Sequence, residues 1–247
     1  MNGDGLNYGI RAGLAQRFGT PAIIGARFVE TLDTLREIDP LFARWNVLDL
    51  PAMATLPLAQ ARPRIAAIVE HNVVRDDQDQ PEPASGYKAI GVVDNGQAAR
   101  NMTFRVAAGA VYQGGDIMLQ VGELIAPTDP RIVSYPLFRK ALLAIIATWQ
   151  PPWGCANVFR MDYWEALVPG APLFPYSRFH IPWIAYLSPK LAIGFALPAD
   201  IRAESLHNGG LLLTATEEPI DPTNPEHLSR ARSLAEALIA RSGNVSP

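Results

Sequence analysis

The sequence predicts an α+β fold in which an antiparallel β-sheet packs with helices from the N-terminal region, the middle and the C-terminus. Apolar residues recur at helical spacing behind prolines near both ends and in the middle of the chain. Elsewhere, short segments alternate apolar and polar residues and are separated by glycine-rich turns, which is typical of antiparallel strands. The 247 residues include 22 prolines, and so many fixed φ angles imply many element boundaries.

Four helices are predicted, and each begins near a proline, whose fixed φ suits the first helical turn. These prolines are Pro21, Pro63, Pro136 and Pro225. Behind the first of them, apolar residues from Ile24 to Ile38 recur every three or four positions. The last helix is the clearest, because Asn224 can cap its start and Gly243 can end it.

Six strands are predicted between and behind these helices. They cover residues 87–93, 102–106, 117–121, 181–187, 201–206 and 211–216. Turn signals such as Asp94-Asn95-Gly96 and Asn208-Gly209-Gly210 separate consecutive segments, which predicts a meander with helices before and after it. No internal boundary stands out, so we expect a single domain over residues 1–247.

Charge, cysteine content and hydropathy limit the partners and the compartment. The 21 basic and 24 acidic residues give a net charge of -3, which argues against direct binding of nucleic acid. Cys155 is the only cysteine, which excludes an internal disulfide and fits a reducing compartment. The longest apolar stretch, from Ile181 to Leu197, is interrupted and too short to span a bilayer. We therefore expect a cytoplasmic protein without a membrane partner.

The sequence contains no recognised catalytic motif. The four histidines are scattered, and neither HExxH nor CxxC occurs, so we expect no metal site and no cofactor. A GxSxG elbow and a phosphate-binding glycine loop are also missing. We interpret Cys155 as a buried apolar residue rather than a nucleophile. The sequence predicts no catalytic residue and a protein that is not an enzyme.

Acidic residues concentrate in two clusters, which are the candidate partner-binding sites. The candidate residues are Asp76, Asp77, Asp79, Glu82, Glu217, Glu218 and Asp221. Two such clusters on a nearly neutral chain could meet a basic protein surface and accelerate association with it. The alternative for the first cluster is a solvated loop. The alternative for the second is a strand end followed by a helix start, where acidic residues are favourable.

Four blocks, in the same order along the chain, resemble the immunity protein 52 family. The block Glu37–Trp45, EIDPLFARW, resembles the end of that family's first helix, and Trp149–Gly154 is similar to its W-x-P-x-W-G element. The block Trp183–Ser188 resembles a W-x-x-Y-L-S strand. The block Thr216–His227 resembles a T-x-E-x-P-x-D…N-P-E-H junction between strand and helix. Together the four blocks represent a resemblance over about residues 6–240.

The resemblance implies an α+β immunity protein that binds and neutralises a cognate toxin encoded by the neighbouring gene. In this family the toxin is often a nuclease of restriction-endonuclease type, commonly delivered by type VI secretion. Under this hypothesis the acidic clusters would face a basic, nucleic-acid-binding surface of the toxin. Two alternatives remain open. One is a chaperone or adaptor that loads an effector into a secretion system, and the other is an enzyme that lacks a recognisable motif.

Overall fold

The computed structural model describes residues 6–16, 18–122, 128–159, 181–221 and 223–243. Within these ranges, ten strands form one antiparallel sheet with the order β3-β2-β4-β5-β6-β1-β7-β8-β10-β9. Their bounds are β1 Asn7–Gly13, β2 Trp45–Asp49, β3 Ala54–Pro57, β4 Tyr87–Val93, β5 Met102–Ala108, β6 Asp116–Val121, β7 Trp153–Phe159, β8 Ile181–Leu187, β9 Arg202–Ser205 and β10 Leu211–Thr214. The predicted α+β class is confirmed, and each of the six predicted strands is present.

The four predicted helices are also confirmed. The helices of the described chain are α1 Pro21–Ile38, α2 Leu58–Ala61, α3 Ile65–His71, α4 Tyr135–Trp149, α5 Pro189–Ala192 and α6 Pro225–Gly243. The Thr20 hydroxyl accepts a hydrogen bond from the Ile23 amide, and Asn224 Oδ1 accepts one from the Glu226 amide, so both residues act as caps. Pro63 lies in a short 3₁₀ turn, and α3 therefore begins two residues later than predicted.

The strand order departs from a simple meander at the N-terminus. Strands β4, β5 and β6 pair consecutively, as predicted, but β1 inserts between β6 and β7. Ile10 of β1 lies opposite Leu119 on one side and Ala156 on the other. Helix α4 lies in the chain between β6 and β7, so the helices do not only flank the strands. The sequence prediction missed β1, β2, β3 and β7.

Helices α1, α3 and α4 cover one face of the sheet. The Phe28 ring of α1 stacks on the Phe104 ring of β5 with 5.7 Å between centroids, and Phe138 of α4 lies 5.3 Å from the Trp183 ring. The buried Tyr8 ring makes edge contacts with both Phe138 and Trp183. The contacts among Tyr8, Phe138 and Trp183 pack β1 against α4 and β8 at the centre of the main core.

Helix α6 packs on the opposite face, over β7, β8 and β10. Leu234 and Leu238 of this helix form a second core with Cys155, Ala185 and Leu213. On the face that α6 covers, no described helix packs extensively over β4, β5, β6 or β1. No helix in the described ranges is both long and apolar enough to cross a membrane.

Candidate functional site

The first acidic cluster lies in a closed loop between α3 and β4. We call residues Arg75–Glu82 the acidic loop. A β-bridge joins Arg75 to Pro81, the Asp76 amide donates to the Gln80 carbonyl at 3.0 Å, and the Glu82 amide donates to the Val74 carbonyl at 2.8 Å. These backbone contacts close the loop at its base and limit the conformations of its tip.

Side chains also stabilise the tip of the acidic loop. Asp76 Oδ1 accepts hydrogen bonds from the amides of Gln78 and Gln80, each at 2.9 Å. The Arg75 guanidinium donates to the Asp79 carbonyl at 2.7 Å. Asp79 has a φ of 60°, a left-handed conformation that aspartate tolerates better than most residues. Acidic side chains and a tight turn are thus part of the same local structure.

The negative charge of the acidic loop exceeds the positive charge of Arg75, its one basic residue. The Asp79 side chain is 86% exposed and lies 3.7 Å from the Arg75 guanidinium. Asp77 is exposed, and no hydrogen bond or ion pair within the described ranges involves its carboxylate. The Glu82 carboxylate accepts a hydrogen bond from the Ser85 hydroxyl. The exposed loop therefore carries four carboxylates and one guanidinium, and only the Asp79 carboxylate lies near that guanidinium.

The second acidic cluster, in contrast, is bonded to the fold. We call residues Glu217–Asp221 the acidic turn. Glu217 pairs with Arg202, and Glu218 Oε2 lies 3.5 Å from Nε2 of the buried His227. The Thr223 hydroxyl and amide donate to Asp221 Oδ1 at 2.7 and 2.8 Å, and these bonds hold the Asp221 pKa below its ordinary value.

Buried donors anchor the backbone of the acidic turn. Trp183 Nε1 donates to the Thr216 carbonyl at 2.9 Å, and the Tyr8 hydroxyl donates to the Ile220 carbonyl at 2.9 Å. Burial, with the Asp221 charge nearby as a smaller cause, raises the pKa of Tyr8 to about 12, so the phenol remains a donor at neutral pH. The acidic turn thus joins β10 to α6 as a structural connection.

The structure does not bring the two clusters together. The acidic loop precedes Tyr87, at the end of the sheet that also holds Gly13, Trp153 and Leu211. The acidic turn follows Thr214, at the opposite end, and β4 and β10 are separated by five strands in the sheet order. Sequence reasoning identified both clusters, but only the strand order shows that they belong to two separate surfaces.

Within the described residues, neither a reactive cysteine nor a cluster of metal-ligating side chains is present. Cys155 is fully buried, and burial raises the pKa of its thiol, which disfavours the reactive thiolate. No group of three or more metal-ligating side chains occurs within the described ranges. His71 and His207 are exposed, and His227 supports the acidic turn, whereas His180 lies outside the described residues.

Sequence reasoning did not identify a groove between α4 and the end of the sheet. The groove has a volume of about 800 Å³, and Arg139, Tyr186, Glu204 and His207 are among its lining residues. Both Glu204 carboxylate oxygens accept from Arg139 Nη2, at 2.6 and 2.7 Å. Glu204 is the only carboxylate among these lining residues. Because it is paired with Arg139, it is poorly placed to accept a proton in a reaction that uses His207.

Comparison with known proteins gives a structural similarity and a family similarity. No curated protein matches the sequence. The fold is similar to that of a T6SS protein of Pseudomonas aeruginosa, with a TM-score of 0.54, 11% sequence identity, and coverage of 94% of this chain and 73% of that chain. At this identity the similarity concerns the fold alone. The family model described as immunity protein 52 matches residues 12–247, which include the four sequence blocks that resemble it. The chain therefore belongs to the immunity protein 52 family.

Proposed function

We propose that this protein is a cytoplasmic antidote that binds and neutralises a cognate toxin encoded by the neighbouring gene. Membership of the immunity protein 52 family implies an immunity protein, and the fold is shared with a T6SS protein. The proposed toxin is a nuclease of restriction-endonuclease type that reaches competing cells by type VI secretion. The antidote acts as a single domain, by binding alone, without a cofactor and without an enzymatic step.

The exposed and internally bonded acidic loop is the observation that supports a basic partner surface. A nuclease must neutralise phosphate charges on its substrate, so its cleft carries lysine and arginine side chains. The carboxylates of Asp76, Asp77, Asp79 and Glu82 offer the same sign of charge as a nucleic-acid backbone. Because the loop is already closed by its own hydrogen bonds, little conformational entropy is lost when it binds.

The acidic turn is proposed as a secondary contact. Glu217, Glu218 and Asp221 carry negative charge at the other end of the sheet. Their carboxylates already have partners within the fold, so binding a toxin would replace existing bonds rather than add new ones. We expect these three residues to contribute to the long-range field and little to short-range affinity.

Occlusion is the mode of inhibition that this geometry favours. The acidic loop is exposed and precedes the first residue of β4, so its carboxylates can meet a cleft that normally accepts a charged backbone. A surface that blocked assembly of the toxin would not need a cluster of exposed carboxylates. Competition between the antidote and a nucleic-acid substrate for the toxin would support occlusion.

The acidic-loop proposal is tested with charge-neutral variants that keep the size of each side chain. The variant Asp76→Asn, Asp77→Asn, Asp79→Asn, Glu82→Gln retains the acceptor oxygen at position 76. We expect its association with the adjacent gene's product to slow by about tenfold or more at low ionic strength, because electrostatic steering raises association rates by about 10–10³. The matched control neutralises four exposed acids elsewhere, Glu30→Gln, Glu37→Gln, Asp200→Asn and Glu236→Gln.

The control variant should associate at close to the rate of the wild type. Equal rates for the loop variant and the wild type would remove the acidic loop from the proposed interface. Slowing by the same factor in both variants would show that net charge, rather than the loop, controls association.

Rescue of growth separates an antidote from an export adaptor. Cells that express the active toxin should survive when they also express this protein, whereas an adaptor would aid export of the toxin without protecting the producer. Survival that depends on the acidic loop would connect protection to the proposed interface. Failure of the wild-type protein to bind or to protect would contradict the proposed function itself.

A further inference from the structure

The half of the sheet that α6 leaves uncovered presents an ordered array of side chains. We call this surface the open face. It is formed by the outward-pointing residues of β4, β5, β6 and β1, which are half-buried and not covered by a described helix. The residues are Lys88, Ile90, Val92, Thr103, Arg105, Asp116, Met118, Gln120 and Arg11.

The strand register places the charged groups of the open face in neighbouring rows. Arg105 lies opposite Met118, and Met118 lies opposite Arg11, so the two arginines flank one methionine in the same row. In the adjacent row, Ala107 lies between Lys88 and Asp116. Four charged side chains therefore occupy a patch three to four strands wide.

The open face has a surplus of positive charge. Asp116 Oδ2 lies 3.2 Å from Arg105 Nη2 and 3.8 Å from Arg11 Nε, so one carboxylate serves two guanidinium groups. In the part of the chain that the structure describes, the buried Nε atoms of both arginines donate to no acceptor. Within the described ranges, no carboxylate pairs with the Lys88 ammonium. Two positive charges thus remain uncompensated, while the Arg105 side chain stays 40% exposed.

The neutral residues of the open face suit a protein partner. Ile90, Val92 and Met118 provide apolar contact area between the charged groups. Arginine, methionine and tryptophan are enriched at protein interfaces, and the half-buried Trp153 borders the face at β1. Proteins that bind single-stranded bases stack them on aromatic side chains. The outward residues of β4, β5 and β6 include no tyrosine and no phenylalanine.

A cleft of about 630 Å³ lies at one end of the open face. Arg11, Asp116, Trp153 and Lys190 are among its lining residues. Two cations and one carboxylate line this cleft, so it can accept an acidic side chain from a partner surface. The cleft extends the positive character of the open face toward α5.

The open face and the acidic loop are neighbours at the same end of the sheet. Lys88 is the second residue of β4 and directly follows Tyr87, the first residue of the strand that comes after the acidic loop. Lys88, Arg75 and Asp79 also line a common cavity of about 480 Å³. The negatively charged acidic loop therefore lies beside the positively charged, partly apolar open face, and one partner can contact both.

We propose that the open face is a second contact surface for the toxin and that it binds an acidic patch beside the toxin's basic cleft. This inference rests on the proposed function, since the partner is the same toxin. The acidic loop enters the basic cleft, while Arg11, Arg105 and Lys88 pair with carboxylates on the rim of the toxin. Opposite charges on adjacent surfaces fix the orientation of the complex and disfavour partners with a uniform charge.

The test measures equilibrium binding of the purified toxin to open-face variants. The variant Lys88→Gln, Arg105→Gln, Arg11→Gln removes three positive charges, and Arg44→Gln, Arg64→Gln, Lys140→Gln is the matched control at exposed positions elsewhere. We expect the open-face variant to bind about tenfold more weakly or worse, with faster dissociation, and the control to bind within about twofold of the wild type. Equal affinities for the two variants would overturn the inference.

A second variant keeps the inference testable if the triple variant folds poorly. The substitution Gln120→Glu keeps the side-chain shape and places a negative charge in the row next to that of Arg105 and Arg11, so it should weaken binding to an acidic patch severalfold. Unchanged or tighter binding of this variant would contradict the inference.

Two further measurements distinguish other occupants of the open face. Titration with a fluorescent single-stranded RNA and a DNA duplex tests nucleic acid, and light scattering after size exclusion tests a second copy of this chain. If the triple variant lost nucleic-acid binding or self-association that the wild type shows, and still bound the toxin normally, the inference would be overturned. Failure of the wild type to bind toxin would contradict the proposed function first, whereas normal wild-type binding with unaffected open-face variants would contradict this inference alone.

Discussion

The acidic loop and the acidic turn have similar composition but opposite relations to the fold. In the loop, the Asp77 and Asp79 carboxylates are exposed, and the hydrogen bonds of Asp76 stay within the loop. In the turn, Glu217 and Glu218 pair with Arg202 and His227, and Asp221 holds the residues before α6. A cluster of negative charge is therefore a candidate for the main contact only where the fold does not already use its carboxylates.

Loss of the tryptophan that anchors the acidic turn should have the largest effect. Trp183 is fully buried and donates to the Thr216 carbonyl, so Trp183→Ala creates a cavity and leaves that carbonyl unpaired. We expect the free energy of unfolding to fall by about 3–5 kcal/mol, measured by urea denaturation. The control Tyr112→Ala, at an aromatic side chain that is 82% exposed, should change it by less than about 0.5 kcal/mol. A loss below about 1 kcal/mol for Trp183→Ala would contradict the anchoring role.

Neutralising Asp221 should have a smaller and pH-dependent effect. The Thr223 bonds depress the Asp221 pKa in the folded state, so the ionised carboxylate stabilises the fold above its ordinary pKa of 3.8. This contribution disappears as the pH falls through the depressed folded-state value. We expect Asp221→Asn to be less stable than the wild type by about 0.5–1 kcal/mol at pH 7, and this difference to shrink as the pH falls below 3.8. A difference that grows toward low pH would have the wrong sign.

Two substitutions at Asp76 should separate charge from preorganisation in the acidic loop. Asp76→Asn keeps an acceptor for the Gln78 and Gln80 amides, whereas Asp76→Ala removes it. We expect faster amide hydrogen exchange at Gln78 and Gln80 in the alanine variant only, with a global stability change below about 1 kcal/mol. Identical exchange in the two variants would show that the backbone bonds alone hold the loop.

The smallest effect on stability is expected for the four-residue neutral variant of the acidic loop. Its substitutions affect exposed carboxylates and keep the acceptor at position 76, so the free energy of unfolding should change by less than about 0.5 kcal/mol. The corresponding variant of the turn, Glu217→Gln, Glu218→Gln, Asp221→Asn, should lose more. Equal losses in thermal or urea denaturation would remove the distinction between the two clusters.

Local signals in the sequence predicted the helices, since a cap and a proline act within one turn. The cap at Asn224 is present as predicted, and Thr20 caps the helix that begins at Pro21. Strand β1 was missed because its glycines are typical of loops and its pairing partners are distant in the chain. Gly13, for example, leaves space for the Trp153 indole, which a Cβ at this position would overlap. This close approach depends on a residue of β7 and has no signal in the sequence around Gly13.

The candidate site shows the same limit of sequence reasoning. The composition around Asp76 and around Glu217 is similar, and sequence alone does not show that Arg202, His227 and Thr223 bind the second cluster. The open face was not predicted at all, because Arg11 and Arg105 become neighbours only through insertion of β1 beside β6. Alternation within β5 did indicate that Arg105 points away from the main core.

The most direct test of the proposed interface is the dependence of the toxin association rate on ionic strength. Stopped-flow measurements would compare the wild type, the neutral variant of the acidic loop and the neutral variant of the acidic turn. The proposed interface predicts a steep fall of the rate with salt for the wild type, a slightly shallower fall for the turn variant, and the shallowest fall for the loop variant. A loop variant that keeps the salt dependence of the wild type, while the turn variant loses it, would contradict the assignment of the acidic loop as the surface that meets the toxin.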